Sequence, residues 1–182
     1  MKKTVGLVEY KSIAKGIESA DAMLKASNVE LLNANTICAG KFLSFVAGDV
    51  GAVKNAVEVG VRVGANHVID HLVIPNVHPE VFPALLGTSK VQRTGSLGVV
   101  ETISVAAAIV AADAAAKAAS VDIVEIRLAN GLGGKAYMTL TGEVSAVKSA
   151  IETARRALAN EGTLLETAVI SSPNKDLMEK VL

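Results

Sequence analysis

The chain carries one cysteine, Cys38, in the run Thr36-Ile37-Cys38-Ala39-Gly40-Lys41. A thiolate is a nucleophile and a metal ligand, and a nearby ammonium such as that of Lys41 favours it. A free cysteine often serves instead as a small buried hydrophobe, but a turn tip beside Gly40 and Lys41 argues against deep burial. One thiolate cannot hold a cluster. Three copies around a threefold axis would supply three thiolates at one point, which suits a [4Fe–4S] cluster with a non-cysteine fourth ligand or a Cys₃ zinc site.

The remaining candidates are less pointed. His67 and His71 stand four apart, but their segment reads as a strand and lacks the His-Glu-x-x-His pattern. With His78 they read as surface histidines. Glu9 and Glu101 occupy equivalent strand ends. Paired acids can do acid–base work, yet duplicated positions favour shared architecture such as a helix cap or a salt bridge. The loop Asn130-Gly131-Leu132-Gly133-Gly134-Lys135 could turn backbone N–H groups toward an anion. It matches no phosphate-loop signature, and a strand rather than a helix follows it. A tight connection lining an axis or pore fits it better. No catalytic constellation emerges, so the chain reads as a non-enzyme.

The elements that position these residues are written twice. Gly6-Leu7-Val8-Glu9, Ser12, Ala14, Ile17, Asp21-Ala22 and Lys25-Ala26 return 92 residues later as Gly98-Val99-Val100-Glu101, Ser104, Ala106, Ile109, Asp113-Ala114 and Lys117-Ala118. Gly40-Lys41, Gly48, Val53-Lys54 and Arg62 return 94 residues later as Gly134-Lys135, Gly142, Val147-Lys148 and Arg156, so the second copy holds a two-residue insertion before Gly134. Each copy reads β-α-β-β-α-β, giving an α+β fold in two domains, 1–90 and 91–182, joined by the polar stretch Gly87–Gly95.

In the first copy, strands are expected at Thr4–Tyr10, Val29–Ile37, Lys41–Ala47 and Val68–Ile74. Helices begin at the caps Ser12 and Asp49, and a short helix falls within Pro79–Leu86. The second copy has strands at Leu97–Glu101, Val121–Leu128, Ala136–Leu140 and Leu164–Ile170. Its helices are at Ser104–Ala119, Glu143–Asn160 and from about Asn174. Ile13, Ile17, Ala20 and Leu24 recur at helical spacing and are expected to face a sheet, as are Val50, Val53, Val57 and Val61.

Composition narrows the function classes. Lys+Arg and Asp+Glu balance at 18 each and aromatics are 3%, which excludes the basic, stacking surface of a nucleic-acid binder. The run Val105–Ala112 is too short to span a bilayer, so no membrane is expected. A single cysteine suits a reducing cytoplasm. An apolar content of 51% exceeds what two small domains bury alone and points to contact between subunits.

Both copies resemble the bacterial microcompartment shell domain. The residues that carry the resemblance are Gly6-Leu7-Val8-Glu9 with Ala20 to Lys25 and Val29, then Gly98-Val99-Val100-Glu101 with Ala112 to Lys117 and Val121. Two fused copies resemble the tandem-domain members, whose homotrimers are pseudohexamers that tile with other shell proteins around metabolic enzymes. The loop Thr36-Ile37-Cys38 with Gly40-Lys41-Phe42 is similar to that of one propanediol-utilisation member. The resemblance implies a [4Fe–4S] cluster, one per trimer, with three Cys38 ligands and a non-cysteine fourth. It places Ile37, Cys38, Ala39 and Gly40 at the pore with Gly131, Leu132, Gly133 and Gly134, and Lys25 and Lys117 at tile edges. It further implies electron transfer across the shell toward encapsulated redox enzymes. The contrasting readings are a shell pore without a cluster and a ferredoxin-like small-molecule-binding or sensor module with the glycine loop as its pocket.

Overall fold

The computed structural model describes residues 4–160 and 162–181. It resolves two compact units. The first runs to Val77 and also takes in Ala129–Gly134; the second comprises His78–Leu128 and the chain from Lys135 onward.

Each unit is a four-stranded antiparallel sheet with two long helices. In the first, β1 (Thr4–Tyr10) and β3 (Lys41–Gly48) are the inner strands, and β2 (Glu30–Ile37) and β4 (Val68–Ile74) are the edges, in the order β2-β3-β1-β4. The second repeats this with β5 (Ser96–Thr102), β6 (Asp122–Arg127), β7 (Ala136–Gly142) and β8 (Leu164–Ile170), in the order β6-β7-β5-β8. The registers correspond as well: Tyr10 faces Phe42 as Thr102 faces Ala136. The strands and helices begin and end within a few residues of the positions read from sequence.

Helix α1 (Ile13–Ala26) opens on Ser12, whose hydroxyl accepts the Lys15 N–H, and α4 (Val105–Ala118) opens on Ser104, which accepts that of Ala107. These caps satisfy helix-end donors that have no intrahelical partner. Asp49 precedes α2 (Val50–Gly64) but makes no side-chain cap bond. Helix α5 is Val144–Leu158, and the short helices α3 (Val81–Leu86) and α6 (Lys175–Val181) follow β4 and β8. Among the described residues, no helix is long and apolar enough to cross a membrane.

Two apolar stripes differ from expectation. On α1, Ile13, Ile17 and Leu24 are exposed, and the buried face is Gly16, Ser19, Ala20 and Met23. Small residues face the sheet because Phe42 fills the space beneath them: a Cβ on Gly16 would lie 2.5 Å from the Phe42 ring. On α2, Val53 and Val57 are buried, while Val50 sits exposed in the first turn.

Candidate functional site

Cys38 begins the turn between β2 and β3, half-buried, with buried Ile37 before it and exposed Ala39 and Gly40 after it. Ala39 and Gly40 have φ of 64° and 70°, the left-handed pair that reverses the chain tightly. The glycine loop Ala129–Gly134 belongs to the same compact unit. The Cys38 N–H donates to the Ala129 carbonyl at 3.1 Å, and the Gly131 N–H donates to Cys38 Sγ at 2.8 Å. Gly131, Gly133 and Gly134 have φ of 75°, 61° and 92°, values that side chains resist, which explains the glycine spacing. The loop therefore presents a backbone dipole to the sulfur.

The hydrogen bonds of Lys41 go to groups other than the sulfur. Its Nζ donates to Glu9 Oε1 at 2.8 Å and to the Gly134 carbonyl at 3.3 Å. The sulfur receives a neutral N–H instead. In the second unit, Lys135 Nζ pairs with Glu101 Oε1 at 2.7 Å. The duplicated acids are thus shared architecture, as read from sequence.

The other candidates stand apart from this site. Lys25 and Lys117 lie in the last turns of α1 and α4, each paired with the aspartate one turn back, Asp21 and Asp113, at 2.6 Å. His71 is exposed on β4, His67 ends a one-turn 3₁₀ helix, and His78 Nδ1 accepts the Glu80 N–H. Among the described residues of one chain, no three His, Cys, Asp or Glu side chains converge as a metal site.

A cleft of about 400 Å³ lies in the second unit, lined by Glu80, Lys90, Arg93 and Asp122 among others, and not by the glycine loop. Asp122 there accepts the N–H groups of Gln92 and Arg93 at 2.5 and 2.6 Å and pairs with the Arg93 guanidinium. Burial pushes its carboxyl pKa up, but these donors outweigh burial and hold it below the usual carboxylate range. Sequence reading passed over Asp122; its one signal was the equivalence with Glu30, 92 residues earlier.

Comparison with known proteins matches both repeats. A family model described as BMC domain fits residues 4–77 and again 96–173. The chain is 43% identical over 182 residues to bacterial microcompartment shell protein PduT of Citrobacter freundii, covering 100% of this chain and 99% of that one. Over 59 residues it is 44% identical to shell protein PduA of the same organism, covering 32% of this chain and 63% of that one. Among solved structures, a microcompartments protein from Desulfitobacterium hafniense DCB superposes with a TM-score of 0.87 at 44% identity, covering 98% of this chain and 99% of that one.

Proposed function

This chain belongs to the BMC-domain family, and from that premise we propose that three copies form a shell tile whose axis gathers three Cys38 thiolates around one [4Fe–4S] cluster. The protein is a structural shell protein of a bacterial microcompartment, like its full-length relative. The tile has no reaction of its own. It meets other shell proteins at edges that include Lys25 and Lys117, and encapsulated redox enzymes are its electron partners.

The observation that carries the cluster reading is the half-exposed Cys38 sulfur at a turn tip, with the Gly131 N–H aimed at it. A sulfur in that position can reach outward to a metal while its backbone stays tied to Ala129. An N–H donor stabilises negative charge on a ligand sulfur, and such bonds help set a cluster's potential. Lys41 makes its ion pair with Glu9. With one cysteine per chain, three copies supply three ligands and the fourth comes from another group. When bound, the cluster would supply one-electron transfer. Around it, Ala39, Gly40, Gly131, Leu132 and Gly133 would form the lining and restrict passage.

The test is anaerobic reconstitution with iron and sulfide, followed by absorption and EPR spectra and sedimentation. A brown trimer with about four irons per three chains is expected, and Cys38→Ser should lose the colour and keep the trimer. A colourless trimer after reconstitution would remove the cluster and leave a plain pore. A zinc-loaded trimer would replace it with the Cys₃ site. Single subunits at working concentration would remove the tile itself.

A further inference from the structure

The cleft in the second unit is built from the ends of α3, the linker after it and the start of β6. Its parts are pinned within that unit. Helix α3 buries Val81 and Ala84 and packs on β6 and α4. Ahead of α3, Glu80 Oε2 accepts the Ile123 N–H at 3.0 Å; behind it, the Thr88 N–H donates to the Pro83 carbonyl at 2.9 Å. Asp122 holds the linker at Gln92 and Arg93. A cleft whose walls are already ordered loses little of its binding energy to ordering them.

The bonds already made leave a surplus of donors. Both oxygens of Asp122 are occupied, Oδ2 by the two linker N–H groups and Oδ1 by the Arg93 guanidinium, and Glu80 has the Ile123 N–H. The cations are less committed. Among the described residues, the Arg93 guanidinium bonds through Nη1 alone, and Lys90 makes no hydrogen bond or ion pair. Ser89, also in the lining, has a buried hydroxyl with no partner among those residues. Lysine and arginine side chains donate and never accept, so the unused capacity of the cleft calls for an acceptor. Pro79, Pro83 and Ile123 add apolar surface beside it.

We propose that this cleft binds a small organic carboxylate, with its head group on Lys90 and Arg93 and a short aliphatic body against Pro83 and Ile123. Hydrogen bonds from a cation to a carboxylate are short and strong, and the guanidinium fork suits a carboxylate's two oxygens. The charges of Glu80, Lys90, Arg93 and Asp122 cancel, so the cleft accepts one negative charge and repels a polyphosphate. Its volume of about 400 Å³ lies at the small end of ligand sites. Every lining residue belongs to the second unit of one chain, so the site depends on neither the tile nor the cluster.

Equilibrium dialysis of the full chain against radiolabelled butyrate tests this. One saturable site per chain is expected, whether the protein sediments as a trimer or alone. Butyramide, the same shape without the charge, should compete about tenfold less well or worse, and Lys90→Ala should weaken butyrate binding by at least about tenfold. Lys90 is exposed, so that variant should keep its helical circular dichroism. Lys54→Ala, which removes an exposed lysine from α2, should bind butyrate as the wild type does. Inorganic phosphate should displace butyrate only at higher concentration than butyrate itself. Binding that does not saturate, equal competition by butyramide, or equal losses in Lys54→Ala and Lys90→Ala overturn the site. Phosphate that displaces butyrate at the lower concentration overturns the carboxylate assignment.

Discussion

Glu9 with Lys41 and Glu101 with Lys135 are one ion pair in two repeats, with bond lengths of 2.8 and 2.7 Å. The first pair is enclosed, its side chains 0% and 14% accessible; the second is open, at 36% and 55%. The pair itself did not change after duplication; its cover did. The glycine loop lies in the first unit and lends Lys41 the Gly134 carbonyl. An ordinary strand-end pair has thereby gained a further partner from that loop.

Breaking this contrast should give the largest effect. Removing one partner of a buried pair costs about 3–5 kcal/mol, whereas an exposed pair contributes about 0–1 kcal/mol. Lys41→Ala is expected to lower the urea midpoint sharply and to loosen the loop that carries the Gly131 donor. Lys135→Ala should barely move the midpoint. Equal losses for the two variants would mean that the enclosure of the first pair has no energetic weight.

A second contrast concerns volume. Gly16 packs on Phe42 in the first repeat; the equivalent residues of the second are Ala108 and Ala136, both buried. Between the copies the strand position loses a phenyl ring and the helix position gains one methyl. In Gly16→Ala the new methyl meets the Phe42 ring at 2.5–2.7 Å. Overpacking costs about 1–3 kcal/mol against a helix-propensity gain of about 1 kcal/mol, so a net loss of up to about 2 kcal/mol is expected. In a Phe42→Ala background the same change should stabilise by up to about 1 kcal/mol. Thermal unfolding of the four proteins as a double-mutant cycle checks the reversal of sign.

These contrasts show what a sequence displays and what it hides. The element order, the Ser12 cap and the strand-end ion pairs were legible because each depends on residues close in sequence or on a fixed repeat offset; Asp49, read as the other cap, makes no cap bond. The buried face of α1 was not. Periodicity selects the largest apolar residues, Ile13, Ile17 and Leu24, whereas the core takes Gly16, Ser19 and Ala20 because Phe42 supplies the bulk from the strand. The site was half legible. Cys38 and the glycine loop each stood out, but the bond between them joins residues 93 positions apart and has no local signal. The ion pair of Lys41 was hidden for the same reason, since Glu9 binds it across 32 residues.

Asp122 and its counterpart Glu30 sharpen the comparison of edges. Asp122 binds the linker at Gln92 and Arg93, and its folded pKa lies below the unfolded value of about 3.9. A depressed carboxylate contributes stability that is present above the unfolded pKa and lost as pH falls through the folded one. The wild type should therefore lose stability on acidification below about pH 4, and Asp122→Asn should flatten that limb and cost about 1.5 kcal/mol at neutral pH. Glu30→Gln, on the exposed edge, should leave the limb in place. Chemical unfolding at a series of pH values checks both; an acid limb unchanged in Asp122→Asn would dissociate the linker contact from stability.

The two tyrosines give the smallest effect and the finest comparison. Tyr10 is fully buried on β1, and its hydroxyl donates to Met23 Sδ at 3.7 Å. Burial pushes its pKa up to about 12, prevailing over the nearby hydroxyls of Ser19 and Ser44, neither of which is in hydrogen-bonding geometry. Tyr137 is raised as well, by partial burial and then by its hydrogen bond to Glu125 at 3.0 Å. A raised phenol favours the neutral form in the folded state. Its contribution to stability is complete below the unfolded pKa of about 10 and is lost as pH climbs toward the folded value. In pH-jump spectrophotometry at tyrosinate wavelengths, Tyr10→Phe should delete the later of two ionisation steps and reduce the alkaline loss of stability, and Tyr137→Phe should delete the earlier one. Two tyrosines ionising together near pH 10 would show that the core of the first repeat admits hydroxide as readily as the surface of the second.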